Sequence, residues 1–356
     1  MGQAVYSALK PFAYPDQLAA LSRDDGWAAP VHVRIKPTNV CNHACWFCAY
    51  RNDGVSLGSG MTVRDKLPRE KMLEIADDLV AMGVAAVTFS GGGEPLIYPH
   101  LVDAIERLAA GGIKIGALTN GARLKGKVAD ALAANASWLR VSIDGWDGAS
   151  YARYRGVKEE AFEEVMANLT AFADRGSACV LGASIIVDRD NASHIYELAA
   201  RLKACGVSHA KISPCITSDD GAETNAYHAD IWDTVRAEID RARALDDDGF
   251  EIVDHYHEAA VETAKPYDRC PFARLLTVIG ADAKVYFCQD KAYTESGCLG
   301  SIAGRRFADF WRAPETRARL NALDPSATCR HHCVADAKNR LLLDYLALDR
   351  EHMAFV

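Results

Sequence analysis

The sequence predicts an α/β protein in which a partial (β/α)6 barrel is followed by a small cysteine-rich domain. Strand patterns alternate with amphipathic helix patterns over the first two thirds of the chain, and this alternation stops near residue 250, where cysteines become frequent. Successive parallel strands joined by right-handed helical crossovers curl into an open barrel. The functional groups of such a barrel lie at the carboxyl ends of its strands.

Six segments have the length and apolar content of strands in a parallel sheet. They are Val31–Lys36, Ala85–Ser90, Lys114–Thr119, Trp138–Ile143, Ala178–Val187 and His209–Ser213. Segments with helical spacing of apolar residues alternate with them: Arg69–Met82, His100–Ala110, Ala161–Ala173, Ser193–Ala204 and Trp232–Leu245. Gly83, Gly112 and Gly206 follow three of these helices, where a left-handed cap is common. This order predicts a TIM-like partial barrel over residues 31–249, after an N-terminal extension of residues 1–30.

The last third of the chain has a different pattern. Leu275–Ile279 and Lys284–Phe287 flank the turn Gly280–Ala283, which predicts a β-hairpin. A helix is expected from Ala335 to Arg350 at the C-terminal end. We expect residues 250–356 to form a separate domain.

Composition excludes several classes of function. The chain has 356 residues and a net charge of −8, which argues against broad electrostatic capture of nucleic acid or of an anionic membrane. No run approaches the roughly 18 apolar residues that a membrane span needs, and the N-terminus lacks a signal-peptide core. A cytoplasmic protein is therefore expected. In a reducing compartment, the 11 cysteines indicate metal ligands or catalytic groups rather than disulfides.

Three cysteines follow the first predicted strand with the spacing Cys41-x3-Cys45-x2-Cys48. Three thiolates so close in sequence can bind three irons of one 4Fe–4S cluster and leave the fourth iron open to a small molecule. The alternative is a zinc site. Zinc loops usually combine two short cysteine turns, and no second turn lies nearby in the sequence.

This CxxxCxxC motif and its companions resemble those of the radical S-adenosylmethionine (SAM) enzymes. The companions include an aromatic residue before the third cysteine, a GGEP segment, TNG and VSIDG at strand ends, and a later YRG. The resemblance implies SAM contacts for Phe47, Gly92, Gly93, Glu94, Asn120, Ser142, Asp144 and Arg155. Read without it, Glu94 could be an exposed loop acid. Ser142 and Asp144 could equally line the barrel interior or a solvated strand end.

The resemblance also implies the chemistry. The reduced cluster would cleave SAM to methionine and a 5′-deoxyadenosyl radical, which abstracts a hydrogen atom from a substrate. An electron donor such as flavodoxin or ferredoxin would supply the electron.

A second group of cysteines resembles the C-terminal auxiliary-cluster region called SPASM, or its shorter form, twitch. The implied ligands of one auxiliary 4Fe–4S cluster are Cys270, Cys288, Cys329 and Cys333. A full SPASM domain needs more cysteines than the five beyond residue 250, so we expect a single cluster. The Cys329-x3-Cys333 spacing departs from the commoner CxxC pattern. Cys298 could therefore join the site or be a spare cysteine. His331 or His332 could replace a thiolate, although exposed loop histidines are the more ordinary interpretation, and a structural zinc is the alternative to the cluster.

Further candidates follow the sixth strand. Cys215 could donate a hydrogen atom to a substrate radical, although packing is the more ordinary role of such a cysteine. Asp219, with Asp220 and Glu223 after it, could bind hydroxyl or amino groups, or could belong to a solvated acidic loop. Cys179 and Cys205 are expected to pack as small apolar side chains.

The expected reaction is oxidation of a carbinol in a small polar substrate, with the auxiliary cluster as electron acceptor. A small molecule is favoured because only 40 residues precede Cys41, too few for a peptide-recognition module. A sugar, aminocyclitol or nucleoside is the leading class by analogy, in natural-product or carbohydrate biosynthesis. The alternatives are a radical epimerase or decarboxylase, and an enzyme that modifies peptides or matures sulfatases.

Overall fold

Ten strands form one continuous sheet in the computed structural model, which describes residues 6–23, 26–259, 263–349, 351, 352, 354 and 355. The strands are β1 (His32–Ile35), β2 (Ala86–Phe89), β3 (Lys114–Thr119), β4 (Ala136–Ser142), β5 (Val180–Val187), β6 (His209–Pro214), β7 (Glu251–Asp254), β8 (Leu276–Ile279), β9 (Lys284–Tyr286) and β10 (Cys298–Ser301). Their order is β10-β9-β8-β1-β2-β3-β4-β5-β6-β7. Pairing is parallel from β8 to β7, and antiparallel within β8-β9-β10.

Helices connect the parallel strands and cover the outside of the sheet. They are α1 (Pro15–Leu21), α2 (Arg69–Ala81), α3 (Leu101–Ala110), α4 (Gly126–Asn135), α5 (Gly148–Arg155), α6 (Glu160–Ala173), α7 (Ile195–Ala204), α8 (Gly221–His228), α9 (Trp232–Ala242), α10 (Tyr256–Ala259), α11 (Phe307–Arg312), α12 (Pro314–Asn321), α13 (Pro325–Thr328) and α14 (Asp336–Leu346). Short 3-10 turns lie at Lys10–Ala13, Pro95–Ile97, Arg243–Leu245, Pro271–Arg274 and Gln289–Lys291. Among the described residues, no helix has the length and apolar content to cross a membrane.

The core lies between the outer face of the sheet and the helices. On β1, Val33 and Ile35 are fully buried in the same apolar cluster as Ile75 and Leu79 of α2. Burying each such aliphatic side chain contributes about 1.5–3 kcal/mol, so this layer fixes which face of each strand points outward. The residues that alternate with them face the barrel interior.

The predicted partial barrel is confirmed, and all six predicted strands are present with ends shifted by at most two residues. Three pairings were not predicted. Strand β7 pairs with β6, β8 of the predicted hairpin pairs in parallel with β1, and β10 pairs with β9. The division at residue 250 stays a prediction, because the sheet continues on both sides of it.

The two chain ends pack together beside β8. Leu18 of α1 shares an apolar cluster with Leu275 and with Leu342 of α14, and the rings of Phe12 and Tyr345 lie 5.4 Å apart. The expected C-terminal helix is shorter than predicted and ends at Leu346; Arg350 lies outside the described residues, as do 1–5, 24 and 25 of the N-terminal extension.

Candidate functional site

The first cysteine group lies in the loop that follows β1. Cys41, Cys45 and Cys48 are all partly exposed and none is in a disulfide. The loop is attached to the end of α5, because the Ala44 N–H donates to the Arg155 carbonyl at 2.9 Å. Burial raises the pKa of the Cys41 and Cys45 thiols, so a bound cation would favour their thiolate forms. Three soft donors in one short loop fit an iron–sulfur cluster with an open iron.

The glycines after β2 allow that loop to approach closely. The Gly93 N–H donates to the Thr38 carbonyl at 3.1 Å. A Cβ atom on Gly93 would lie 2.0 Å from the Val40 oxygen, and one on Gly92 would lie 2.4 Å from Asn39 Oδ1. Since backbone atoms occupy the space of any side chain at Gly93, glycine is required there for packing alone.

Glu94 is a buried acid at the end of β2, so it is not the exposed loop acid that the sequence alone left open. Its Oε1 accepts from the Leu96 N–H at 3.0 Å and from the Thr119 hydroxyl at 2.5 Å, and its Oε2 accepts from the Asn120 N–H at 2.8 Å. Burial raises the pKa of Glu94, whereas these hydrogen bonds lower it. A carboxylate can accept about four hydrogen bonds, so one position remains for an ammonium group.

Arg155 and Asp144 form a buried ion pair beside the cysteine loop, with side chains 4% and 0% exposed. Arg155 also donates to the Ser142 hydroxyl at 3.0 Å and to Cys45 Sγ at 3.6 Å. Asp144 accepts from the Ile186 N–H at 2.7 Å. Burial lowers the pKa of Arg155, but Asp144 raises it above its ordinary value. Burial raises the pKa of Asp144, against the opposing effect of Arg155. The ion pair links the ends of β4 and α5 to a candidate iron ligand.

The remaining predicted SAM contacts surround this pair. The Phe47 ring centroid lies 5.4 Å from the Arg155 guanidinium, which is within cation–π range. The Asn120 side chain donates to Asn42 Oδ1 at 2.9 Å, next to Cys41. The structure thus brings the predicted residues of four strand ends together around the cysteine loop. Their contacts with SAM stay predictions.

We expect Arg155→Met to lower the free energy of unfolding by about 3–5 kcal/mol, because it leaves the buried Asp144 carboxylate without its partner. Urea denaturation would measure this loss. Arg153→Met is the matched control, since Arg153 is 57% exposed and its Asp190 partner lies 3.8 Å away. A change within about 0.5 kcal/mol is expected for the control. Equal losses in both variants would contradict the assigned role of the ion pair.

The second cysteine group converges on one cavity between the hairpin and the C-terminal segment. Its lining includes Cys270, Cys288, Cys329 and Cys333. Cys298 lies elsewhere, on β10 beside Val278, Tyr286 and Ala292. Four thiols brought from three separate segments to one cavity fit a fully ligated 4Fe–4S cluster. Because β8 pairs with β1, this cavity adjoins the strand that carries the first cysteine loop.

Two further candidate ligands, Asp290 and His331, line this cavity. The ligand atoms of Asp290, His331 and Cys333 all lie within 4.8 Å of one another. His331 is only 17% exposed, which corrects the expectation that it belongs to an exposed loop. Burial raises the pKa of Cys270 to about 11, and burial together with Asp290 raises the pKa of Cys288 and Cys333. Asp290 was missed as a candidate ligand; its position two residues after Cys288 was the available signal.

The candidate residues after β6 are either buried or hydrogen-bonded to backbone N–H groups. Cys215 is 1% exposed, and burial raises the pKa of its thiol to about 12. Both carboxylate oxygens of Asp219 accept from the Ser56 N–H, at 3.0 and 2.9 Å, which holds the segment after the first cysteine loop. Asp220 caps α8 through the Ala222 N–H. Catalytic roles for Cys215 and Asp219 stay predictions.

Sequence reasoning missed Lys36, which lies at the end of β1 and is 1% exposed. Its Nζ donates to the Tyr50 hydroxyl at 2.6 Å and to the Gly91 carbonyl at 2.8 Å. Burial, followed by the charge of Arg34, lowers the pKa of Lys36 to about 7. A lysine that ends an apolar strand was the signal for it.

Comparisons with known proteins agree with this geometry. Residues 35–202 match the family model of the Radical SAM superfamily. A probable GTP 3′,8-cyclase of Pyrobaculum aerophilum is 30% identical over 48% of this chain and 54% of its own length. The sporulation killing factor maturation protein SkfB of Bacillus subtilis is 24% identical over 79% of this chain and 64% of its own length. The chain thus spans less than two thirds of the length of either relative.

A solved structure shares the fold over most of the chain. Streptococcus suis SuiB, crystallised with the precursor peptide SuiA, aligns with a TM-score of 0.64 and 15% identity. The alignment covers 91% of this chain and 76% of SuiB. The family match includes the cysteine loop, the GGEP segment and the Asp144–Arg155 pair. Residues 35–202 therefore form a domain of the Radical SAM superfamily, and the chain shares the fold of SuiB over 91% of its length.

Proposed function

We propose that this chain is a radical SAM enzyme that abstracts a hydrogen atom from a peptide substrate. The observation that carries the proposal is the cysteine loop held between Glu94 and the Asp144–Arg155 ion pair, with the cavity of the second cysteine group beside it. When bound, the cluster and SAM supply one-electron cleavage to methionine and a radical that takes one hydrogen atom from a C–H bond.

The side chains of this site have separate tasks in the proposal. Cys41, Cys45 and Cys48 hold three irons. Glu94 accepts a hydrogen bond from the SAM ammonium, with an orientation fixed by its bonds to the end of β3. Arg155, fixed by Asp144, places its positive charge against Phe47 and Cys45 and orders the wall of the SAM site.

The comparisons favour a peptide over the small polar substrate that the sequence led us to expect. SuiB was crystallised with a precursor peptide, and SkfB is named for the maturation of a killing factor. The small-molecule expectation depended on the 40 residues before Cys41. In the structure, Phe12 and Leu18 of that segment pack with Leu342 and Tyr345 of α14.

We further propose a net oxidation of the peptide, supported by the position of the four-cysteine cavity next to β1. The substrate would lose one hydrogen atom to the 5′-deoxyadenosyl radical, one proton to a base and one electron. Cys270, Cys288, Cys329 and Cys333 would hold a cluster that could accept this electron. A redox-neutral epimerisation or decarboxylation is the second candidate.

The peptide substrate can be tested by isotope transfer. Protein reconstituted with iron and sulfide would be incubated with SAM, dithionite and deuterated synthetic peptides encoded beside its gene. A parallel reaction would contain deuterated sugars and aminocyclitols. We expect deuterium in 5′-deoxyadenosine, measured by mass spectrometry, in the peptide reaction. Deuterium transfer in the sugar reaction alone would show that the small-molecule expectation was correct.

The type of reaction is expected to show in Cys215→Ala. In an oxidation the cluster accepts the electron and no thiol returns hydrogen, so product formation should continue, with about 1 kcal/mol lost in stability from the small buried side chain. Cys179→Ala is the matched control for packing, because Cys179 is also a buried free cysteine. Reactions in D2O, followed by liquid chromatography and mass spectrometry, would measure the amount of product and its deuterium content. Stable deuterium at one product carbon in the native enzyme, lost only in Cys215→Ala, would instead indicate a redox-neutral reaction.

A further inference from the structure

Four basic side chains point into the barrel interior, further from the carboxyl ends of the strands than the proposed SAM site. They are Arg34 of β1, Lys36 directly after β1, Arg140 of β4 and Lys211 of β6, and they alternate with residues buried in the outer apolar layer. Since neighbouring residues of a strand point to opposite faces, these four side chains point inward from three strands. We call them the inner cations.

Among the described residues, no acid forms an ion pair with the inner cations, although the charge of Asp290 raises the pKa of Arg34 and Lys36 from a greater distance. In the described part of the chain, no carboxylate oxygen lies within 4.0 Å of their charged groups. The contacts that they make are with neutral groups: Arg140 donates to the Tyr6 hydroxyl at 3.4 Å, and the Lys211 Nζ lies 5.5 Å from the Tyr6 ring centroid.

Several buried donors in this interior also lack a hydrogen-bond partner among the described protein atoms. They are Nε of Arg34, Nε of Arg140 and the Ser90 hydroxyl. Ser90 follows β2, which pairs with β1, so its hydroxyl is adjacent to the same interior. Buried donors without partners are costly to a fold, and an acceptor in the interior would satisfy them.

The inner cations also repel one another. Burial, followed by the charges of Arg140 and Arg34, lowers the pKa of Lys211 to about 7. Lys338 of α14 acts on Lys211 in the same direction, whereas Glu258 opposes it from beyond ion-pair distance. Burial lowers the pKa of Arg34, but an arginine side chain keeps its proton at neutral pH, so both guanidinium groups are charged there. A bound anion would compensate charges that are otherwise costly to bury.

We propose that the inner cations bind a carboxylate of the substrate, with Arg140 and Lys211 as its principal contacts. This rests on the proposed function, in which the substrate is a peptide, whose carboxylates are an acidic side chain or a free C-terminus. Arg140 precedes Ser142 by two residues on β4, hence lies about 7 Å deeper in the barrel. A substrate carboxylate bound there would direct the adjoining carbon atoms of the substrate toward the SAM site. The planar fork of an arginine suits both oxygens of a carboxylate.

The auxiliary cluster is the competing source of negative charge. Arg34 lines the four-cysteine cavity, so its charge could compensate the cluster. Arg140 and Lys211 are not part of that lining, and they are therefore the residues that test the proposal.

The test measures binding without turnover. Isothermal titration calorimetry would be performed on the iron-loaded protein with SAM and no reductant. The probes are N-acetylisoglutamine, with only a side-chain carboxylate; N-acetylglutamine, with only a terminal carboxylate; and N-acetylglutamine amide, which is neutral. We expect at least one carboxylate probe to bind about tenfold more tightly than the neutral probe. Whichever carboxylate probe binds identifies the source of the anion.

Variants assign the binding to the inner cations. Arg140→Gln and Lys211→Gln should each weaken the favoured probe about tenfold, while the exposed Arg123→Gln control should leave it unchanged. Arg140→Lys keeps the positive charge and should bind the favoured probe more tightly than Arg140→Gln does. This variant tests the role of the charge even if Arg140→Gln folds poorly. Equal affinity of the protein for all three probes would overturn the proposal. It would also be overturned if Arg140→Gln and Lys211→Gln both bound the favoured probe as tightly as the native protein does. The titration measures binding and no step of catalysis. Failure to bind the carboxylate probes can therefore be distinguished from failure to transfer deuterium from a peptide.

Discussion

Replacing Cys41, Cys45 and Cys48 together with alanine is expected to abolish 5′-deoxyadenosine formation while leaving about four irons per chain. The loop that carries these thiols is the only part of the proposed mechanism that can hold the SAM-binding iron. The four cysteines of the other cavity lie on separate segments and should keep their cluster. Liquid chromatography of the SAM cleavage products and chemical iron analysis would measure both quantities.

The matched control for the triple variant is Cys179→Ala combined with Cys205→Ala. These cysteines lie at the start of β5 and the end of α7, outside both cysteine groups, and are free thiols as well. SAM cleavage should be unchanged in the control. If the triple variant still cleaves SAM, the assignment of the cysteine loop is wrong.

Replacing Cys270, Cys288, Cys329 and Cys333 together with alanine is expected to lower iron from about eight to about four atoms per chain. The variant should also unfold at a lower temperature. The proposed cluster would connect the 3-10 turn Pro271–Arg274, the end of the hairpin and the segment before α14, and its loss would remove these connections. Mössbauer spectroscopy and calorimetry would measure the two effects.

Cys298→Ala is the control for that variant, because Cys298 lies on β10 away from the four-cysteine cavity. Iron content should not change in the control. Zinc in the native protein at this cavity, in place of a second four-iron signal, would refute the auxiliary cluster. A loss of iron in Cys298→Ala would show that the ligand set has been assigned incorrectly.

Local sequence patterns were sufficient to predict the strands from β1 to β6 and the first cysteine loop. The strands are short apolar segments separated by helices with clear periodicity, and all three cysteines lie within eight residues, so their proximity needs no tertiary information. The small-molecule expectation had no comparable basis, because it depended on chain length and analogy rather than on residues that contact a substrate.

The sequence by itself determined the order of strands and helices, the apolar face of each strand and the cysteine spacing, because these are properties of neighbouring residues. Only the tertiary structure decided that β8 closes the sheet against β1, that Arg155 pairs with Asp144, and that Asp290 and His331 reach the second cysteine cavity. The same holds for the inner cations, because their strands are about 70 residues apart or more but face one interior. Pairings between distant segments depend on how whole layers of side chains pack, and no local pattern along the chain records that packing.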